Sequence, residues 1–412
     1  MNKENLKLET YYGLPAKVKF CKNCVISNQR PSSTVEFKND KNVKKETIGF
    51  DQDGVCDACR FNEIKTKEID WKLREDQFNS MLDKFRSKDG SYDVIVPGSG
   101  GKDSAFTSHI LKYKYGMNPL TVTWAPHQYT EIGWKNFTNW IHEGGLDNLL
   151  FTPNGRLHRH LTKLAFVNLL HPFQPFIVGQ RIIGPAMAKK HGVKLVMYGE
   201  NQAEYGNNSS ENYVPTMDTR FFSSSNPLEM KLGGESIEEI INSTNYSLND
   251  FKPYIPPNAS ELINSNIEVH YLSYYLPWDP QECYYYAVEN TGFQANPERT
   301  TGTYSKYSSI DDKIDMFHYY TTYIKFGIGR ATYDASQEVR NGKITRDEAV
   351  HLVEKYDHEF PTKFFDEFLD YIGISETEFY ETIDKFRSPH LWKKIQDKWE
   401  LRHTVGAQGV DD

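Results

Sequence analysis

The string Pro97-Gly98-Ser99-Gly100-Gly101-Lys102-Asp103-Ser104 stands directly between a short apolar run, Tyr92-Asp93-Val94-Ile95-Val96, and a helix-forming stretch, Ala105 to Tyr115. A strand that enters a helix through glycines leaves backbone amides pointing out of the helix start, with no side chain to keep an anion away. Lys102 adds a positive charge, and Ser99 and Ser104 add hydroxyls. The string therefore predicts a polyphosphate cradle at a strand-to-helix turn. Its spacing is neither Gly-x-x-x-x-Gly-Lys-Ser/Thr nor Gly-x-Gly-x-x-Gly, so the two commonest nucleotide loops are excluded.

The surrounding pattern fits such a turn. From Tyr92 strands alternate with helices, which predicts a parallel sheet covered on both faces. Leu120 to Trp124, Leu149 to Phe151 and Lys194 to Tyr198 read as further strands, and Val269 to Leu276 as a fifth. Helices are expected near Glu131 to Glu143, His158 to Leu170, Arg181 to His191 and Pro280 to Thr291. The stretch from about 206 to 266 is rich in Asn, Ser, Pro and Gly and is expected to be an insertion with little regular structure. The expected organisation is a zinc-binding module over 1–60, a helical linker over 61–90, an α/β domain over 91–300 and a helical region over 301–412.

Of five cysteines, four form Cys21-Lys22-Asn23-Cys24 and Cys56-Asp57-Ala58-Cys59. Two such knuckles suit a closed tetrahedral Zn²⁺ site, with a redox dithiol or an iron–sulfur cluster as competing readings. Cys283, alone in an aromatic stretch, reads as a packing residue rather than a nucleophile.

The 412 residues suffice for two or three domains. A net charge of −8 argues against a nucleic-acid partner, which normally meets a basic face. Met1 to Phe20 lacks the apolar centre of a signal peptide, and no run approaches the roughly 18 apolar residues of a membrane span, so a cytoplasmic chain is expected.

Ser-Gly-Gly-Lys-Asp-Ser resembles the pyrophosphatase-loop fingerprint of GMP synthetases, argininosuccinate synthetases and tRNA-thiolating enzymes. The resemblance implies an adenine nucleotide alpha-hydrolase-like fold. Gly98, Ser99, Gly100, Gly101, Lys102, Asp103 and Ser104 would then hold the outer phosphates of ATP while a substrate oxygen attacks the inner phosphorus. It places the adenosine near Gly98 and near Thr123, Trp124 and Ala125. It also places Gly199 at the nucleotide, with Glu200 and Glu204 as candidate Mg²⁺ ligands, the alternative being two solvated glutamates.

The wider layout resembles the N-acetyl sugar amidotransferases of surface-polysaccharide and nonulosonic-acid pathways. The carriers are Arg30-Pro31 after the first knuckle, Gly54-Val55-Cys56-Asp57-Ala58-Cys59, the phosphate loop, Gly199-Glu200, Gly302-Thr303-Tyr304, Asp311-Asp312-Lys313 and Lys325-Phe326-Gly327-Ile328-Gly329-Arg330-Ala331. This resemblance implies an ATP-dependent, AMP-forming enzyme acting on an N-acetylated nucleotide sugar. Its ammonia would come from a separate glutaminase subunit, with a cyclase-like channel subunit as a further partner. Catalytic roles fall to Lys102, Asp103, Ser104 and Glu200. Lys325 and Arg330 would contact pyrophosphate or an anionic nucleotide sugar, unless they form a solvated helix end. The competing functions are a tRNA-thiolating enzyme and a non-catalytic ATP-binding scaffold. Against the first, no cysteine lies between Tyr92 and Asn266 and the net charge is negative.

Overall fold

The computed structural model describes residues 8–32, 44–201, 204, 213–219, 222–224 and 226–407. Two helices, α1 (Asp57–Lys67) and α2 (Trp71–Phe85), make up the helical linker expected over 61–90, the first starting inside the cysteine module. The break follows from Asp70, whose carboxylate accepts from the Leu73 amide and caps a new helix.

The central sheet is built from β1 (Val94–Pro97), β2 (Pro119–Trp124), β3 (Asp147–Phe151), β4 (Leu195–Tyr198) and, later in the chain, Glu268–Tyr271. Between the first four lie α3 (Lys102–Tyr113), α4 (Glu131–His142), α5 (Gly155–Leu169) and α6 (Gln174–His191). The part of the supposed insertion that the structure describes is more regular than expected. It holds a small hairpin, β5 (Lys231–Leu232) with β6 (Glu235–Ser236), and three short helices, α7 (Ile237–Ser243), α8 (Leu248–Phe251) and α9 (Ala259–Asn264). Capping boxes at Ser236, Ser247 and Asn258 start those helices, a local device that polar composition conceals. Glu268–Tyr271 is β7, and the strand expected to reach Leu276 stops there. Leu272–Tyr275 instead forms the helical turn α10, whose Ser273 amide donates to the Gly199 carbonyl.

All five strands are parallel, in the order β3-β2-β1-β4-β7. β1 and β2 are almost wholly buried, as a sheet covered on both faces requires, with α6 against one face and α3 with α11 (Pro280–Thr291) against the other. The chain leaves β1 toward β2 on one side, whereas β4 lies on the other. The crevice at the carboxyl ends of β1 and β4 is therefore the topological switch point, where open α/β sheets bind ligands.

After α11 the chain forms α12 (Asp315–Phe326), α13 (Arg330–Arg340), α14 (Arg346–Tyr356), α15 (Phe365–Ile372) and α16 (Glu376–Lys385). It closes with a hairpin, β8 (Trp392–Ile395) and β9 (Lys398–Leu401), inside a region expected to be helical. Gln396 and Asp397, with φ of 46° and 66°, make its two-residue turn without the usual Asn-Gly signature. Asp312 ties this region to the sheet, accepting from the amide and Nδ1 of His127 at 2.7 Å each. Among the described residues, no helix is long and apolar enough to cross a membrane.

Candidate active site

The phosphate loop lies at the switch point and is tightly built. Gly100 has φ +84°, and a Cβ there would stand 2.7 Å from the Phe137 Cα. A Cβ on Gly98 would stand 2.1 Å from that of Ser104, so both glycines are sterically required. Gly101 precedes the first turn of α3, so Lys102, Asp103 and Ser104 open the helix at its positive dipole end. The Ser104 hydroxyl donates to the Gly101 carbonyl at 3.0 Å.

Lys102 Nζ reaches Asp103 Oδ2 at 2.6 Å and lies near the face of Tyr307. Burial works against its charge, but Asp103 and Glu200 outweigh burial and hold its pKa above the ordinary value. Asp103 Oδ1 is buried with no hydrogen-bond partner among the described residues, an acceptor that a bound group would satisfy.

In front of the loop opens a cavity of about 920 Å³. Ser99 to Asp103 and Glu200 line it together with residues of the region after Ser305. One face of α12, namely Asp315, His318, Tyr319, Thr322 and Lys325, follows the cavity at helical spacing. Burial pushes the Asp311 carboxyl above its usual range, while a hydrogen bond from Ser99 and the charge of Lys102 pull it back. Burial likewise pushes Asp315 up to about 7, against the pull of Arg330. The cavity thus joins a cationic phosphate-type loop to two carboxyls raised by burial, Asp315 to about 7, the setting of an acid–base site.

The structure brings Ser99, Gly100, Gly101, Lys102, Asp103, Glu200, Lys325 and Arg330 to this one cavity. Gly98 and Ser104 shape the loop without lining it, and Gly199 stands behind it, where a Cβ would meet the Trp278 ring at 2.6 Å. Thr123, Trp124 and Ala125 are not brought there. The Thr123 hydroxyl accepts from Asn148, and the Trp124 ring packs into the core against Phe151 and Tyr254, so neither offers a surface to adenosine.

Glu204 also departs from expectation. Both its oxygens accept from Lys65 Nζ at 3.0 Å in a buried ion pair, so it is neither a solvated glutamate nor a carboxylate facing the loop. The solvated alternatives for Lys325 and Arg330 fail as well. Lys325 is 1 % exposed, donates to the Leu169 carbonyl at 2.7 Å and lies 4.7 Å from the Tyr12 ring centroid. Arg330 is held by Asp334 at 3.0 Å over the Tyr319 ring.

Sequence reasoning named no role for Asp315, His171, His318 or Arg181, which also line the cavity. The available signal was a run of polar side chains at one-face spacing in an aromatic-rich helix, from Asp315 to Lys325.

The four cysteines converge. Their sulfurs all lie within 4.8 Å of one another, with Cys21 to Cys59 at 3.9 Å and Cys24 to Cys56 at 3.7 Å. A tetrahedral ion with bonds of about 2.3 Å spaces its sulfurs about 3.8 Å apart, so the set fits a zinc ion. The Cys56 amide donates to Cys21 Sγ at 3.3 Å, and the Arg346 guanidinium donates to the Cys21 and Cys24 carbonyls. Burial opposes the charge of Arg340, but the thiolates and Glu204 raise its pKa. Cys21, Cys24, Cys56 and Cys59 would hold the metal, which supplies folding stability there. Cys283 is a buried core residue, as expected, and burial pushes its thiol up.

Residues 301–405 match the family model described as LPS biosynthesis protein WbpG-like, C-terminal domain. No curated protein matches the chain. Solved structures that overlap it include the NH3-dependent NAD synthetase of Campylobacter jejuni, at 16 % identity, 35 % of this chain, 60 % of that chain and a TM-score of 0.26. The NMN synthetase of Francisella tularensis overlaps at 12 % identity, 73 % of this chain, 96 % of that chain and a TM-score of 0.30. The U34-tRNA thiolase NcsA of Methanococcus maripaludis, solved with its iron–sulfur cluster, overlaps at 12 % identity, 78 % of this chain, 89 % of that chain and a TM-score of 0.28. The chain spans 60 % of the length of the NAD synthetase. The lining residues from Ser305 onward thus lie in the WbpG-like segment, and that match supports the family the sequence resembles, the N-acetyl sugar amidotransferases.

Proposed function

We propose that the chain is an ATP-dependent, AMP-forming amidotransferase of polysaccharide biosynthesis that converts the acetamido group of an N-acetylated nucleotide sugar to an acetamidino group. The observation that carries this reading is that the Ser99–Asp103 loop and residues of the WbpG-like segment line one cavity. An amide carbonyl resists ammonia because its oxygen leaves poorly. Attack of that oxygen on the inner phosphorus of ATP expels pyrophosphate and makes the oxygen part of AMP. Ammonia then adds to the imidate carbon, AMP departs with the oxygen, and the amidine remains.

In this reading Lys102 and the amides that open α3 bind the outer phosphates and stabilise the charge that grows on the leaving pyrophosphate. Mg²⁺, when bound, would neutralise phosphate charge, and Glu200 and Asp103, which line the cavity near Lys102, would hold it. Asp311 and Asp315 line the same cavity and would accept a proton from the attacking ammonia. The ammonia source is a separate glutaminase subunit.

The test is incubation of purified protein with ATP, Mg²⁺, an ammonium salt and a panel of N-acetylated nucleotide sugars. The expected products are AMP and a sugar lighter by the difference between O and NH. Formation of ADP contradicts the proposal, and retention of function by Lys102→Ala would favour an ATP-binding scaffold.

A further inference from the structure

The phosphate loop and the carboxyls account for one part of the cavity wall and leave His171 and His318 unused. Both rings line the cavity. They stack on each other with centroids 4.7 Å apart and planes 19° apart, and Phe173 also stacks on His318 at 5.3 Å and 17°. Stacking against two neighbouring rings holds the plane of His318, and its edge is what remains to meet a ligand. Neither ring makes a hydrogen bond among the described residues, and Nδ1 of each is buried without a partner. Nε2 is then the nitrogen presented to the cavity.

Charge and tautomer narrow what can bind. Burial, followed by the positive charges of Lys325, Lys45 and Arg181, depresses His171 to about 3. Burial, followed by His171, Arg330 and His127, holds His318 well below its ordinary value. Both rings are neutral at physiological pH, and the cationic surroundings disfavour a metal ion or an ammonium group. A buried N–H left without an acceptor is rarer than an unmatched lone pair, so the proton belongs on Nε2. Each ring then offers one neutral N–H to the cavity.

We propose that His171 and His318 form a two-donor platform that binds oxygen acceptors on the sugar portion of the substrate and so positions its acetamido group toward the phosphate loop. This rests on the functional reading above. His318 lies one helical turn from Asp315, so an oxygen held there stands beside the carboxyls that face the loop. In this assignment the rings are positioning residues and do not touch the phosphates of ATP.

The test uses the full-length, metal-loaded protein, the variants His171→Phe, His318→Phe and His318→Asn, and titration calorimetry with ATP, UDP and a panel of N-acetylated nucleotide sugars that includes UDP-N-acetylglucosamine. Each Phe variant is expected to weaken the tightest-binding sugar of the panel by about 3- to 10-fold, the range for one hydrogen bond to a neutral partner, while ATP affinity stays within about 2-fold. His318→Asn retains an N–H donor and should recover most of the loss. In the wild type, nitrogen-15 NMR should show neutral Nε2–H imidazoles whose signals move on adding the sugar nucleotide and not on adding ATP. That readout decides the matter even where a variant fails to fold. Sugar binding unchanged in the Phe variants, or equal weakening of UDP alone, overturns the imidazole assignment and leaves the functional reading intact. A wild type that binds ATP but no N-acetylated nucleotide sugar overturns the functional reading and the platform with it.

Discussion

Replacing Asp315 by Asn should change how stability depends on pH, by an amount the structure fixes. Burial raises this carboxyl to about 7 in the folded chain, against about 3.9 when unfolded. The folded state therefore binds more protons than the unfolded one between these values. Stability from this group is complete below the unfolded value and is lost as pH rises through the folded one. A gap of about 3 units at about 1.4 kcal/mol each is worth about 4 kcal/mol in full, and about 2–3 kcal/mol between about pH 5 and pH 8.

Asn carries no charge at any pH, so Asp315→Asn loses that dependence. Asp357, which burial raises to about 6, is common to both chains and cancels in the comparison. The assay is urea unfolding of wild type and variant at both pH values. The wild type should lose about 2–3 kcal/mol more than the variant on going from the lower to the higher pH. Parallel pH profiles would refute a carboxyl held near neutrality, and with it the acid–base reading of this wall.

Breaking the buried Lys65–Glu204 pair by Lys65→Met should destabilise the chain by about 3–5 kcal/mol, because Glu204 is left charged in the interior. Thermal unfolding checks this, and adding Glu204→Leu should restore most of the loss. Gly100→Ala should abolish AMP formation while the variant stays folded by circular dichroism, since a Cβ there would stand 2.7 Å from the Phe137 Cα in a loop with φ +84°. Elemental analysis should find one zinc per chain, and Cys56→Ser should lose the metal and lower the melting temperature; full metal content in that variant would count against the four-thiolate site.

Local chemistry was legible in the sequence, and long-range convergence was not. The phosphate loop announced itself because its glycines, lysine and helix start are contiguous from Gly98 to Ser104. The four cysteines did so because knuckle spacing is a local rule. Glu204 was misjudged because its partner, Lys65, is far away in the chain and nothing in either neighbourhood marks the pairing. Thr123 to Ala125 stand at a strand end as foreseen, yet Asn148 claims the Thr123 side chain and Phe151 and Tyr254 that of Trp124. His171 lies in the turn between α5 and α6 and His318 on α12, and only folding stacks them. The β8–β9 hairpin escaped notice because Gln396 and Asp397 adopt positive φ without a glycine to signal it.

The most direct measurement of the central claim follows a single oxygen atom. An N-acetylated nucleotide sugar labelled with heavy oxygen in its acetamido carbonyl is turned over with ATP and ammonium, and the AMP is analysed by mass spectrometry. Attack of the acetamido oxygen on the inner phosphorus predicts that the label appears in AMP and is absent from the sugar product. Unlabelled AMP, or label retained on the sugar while ATP is consumed, would contradict it.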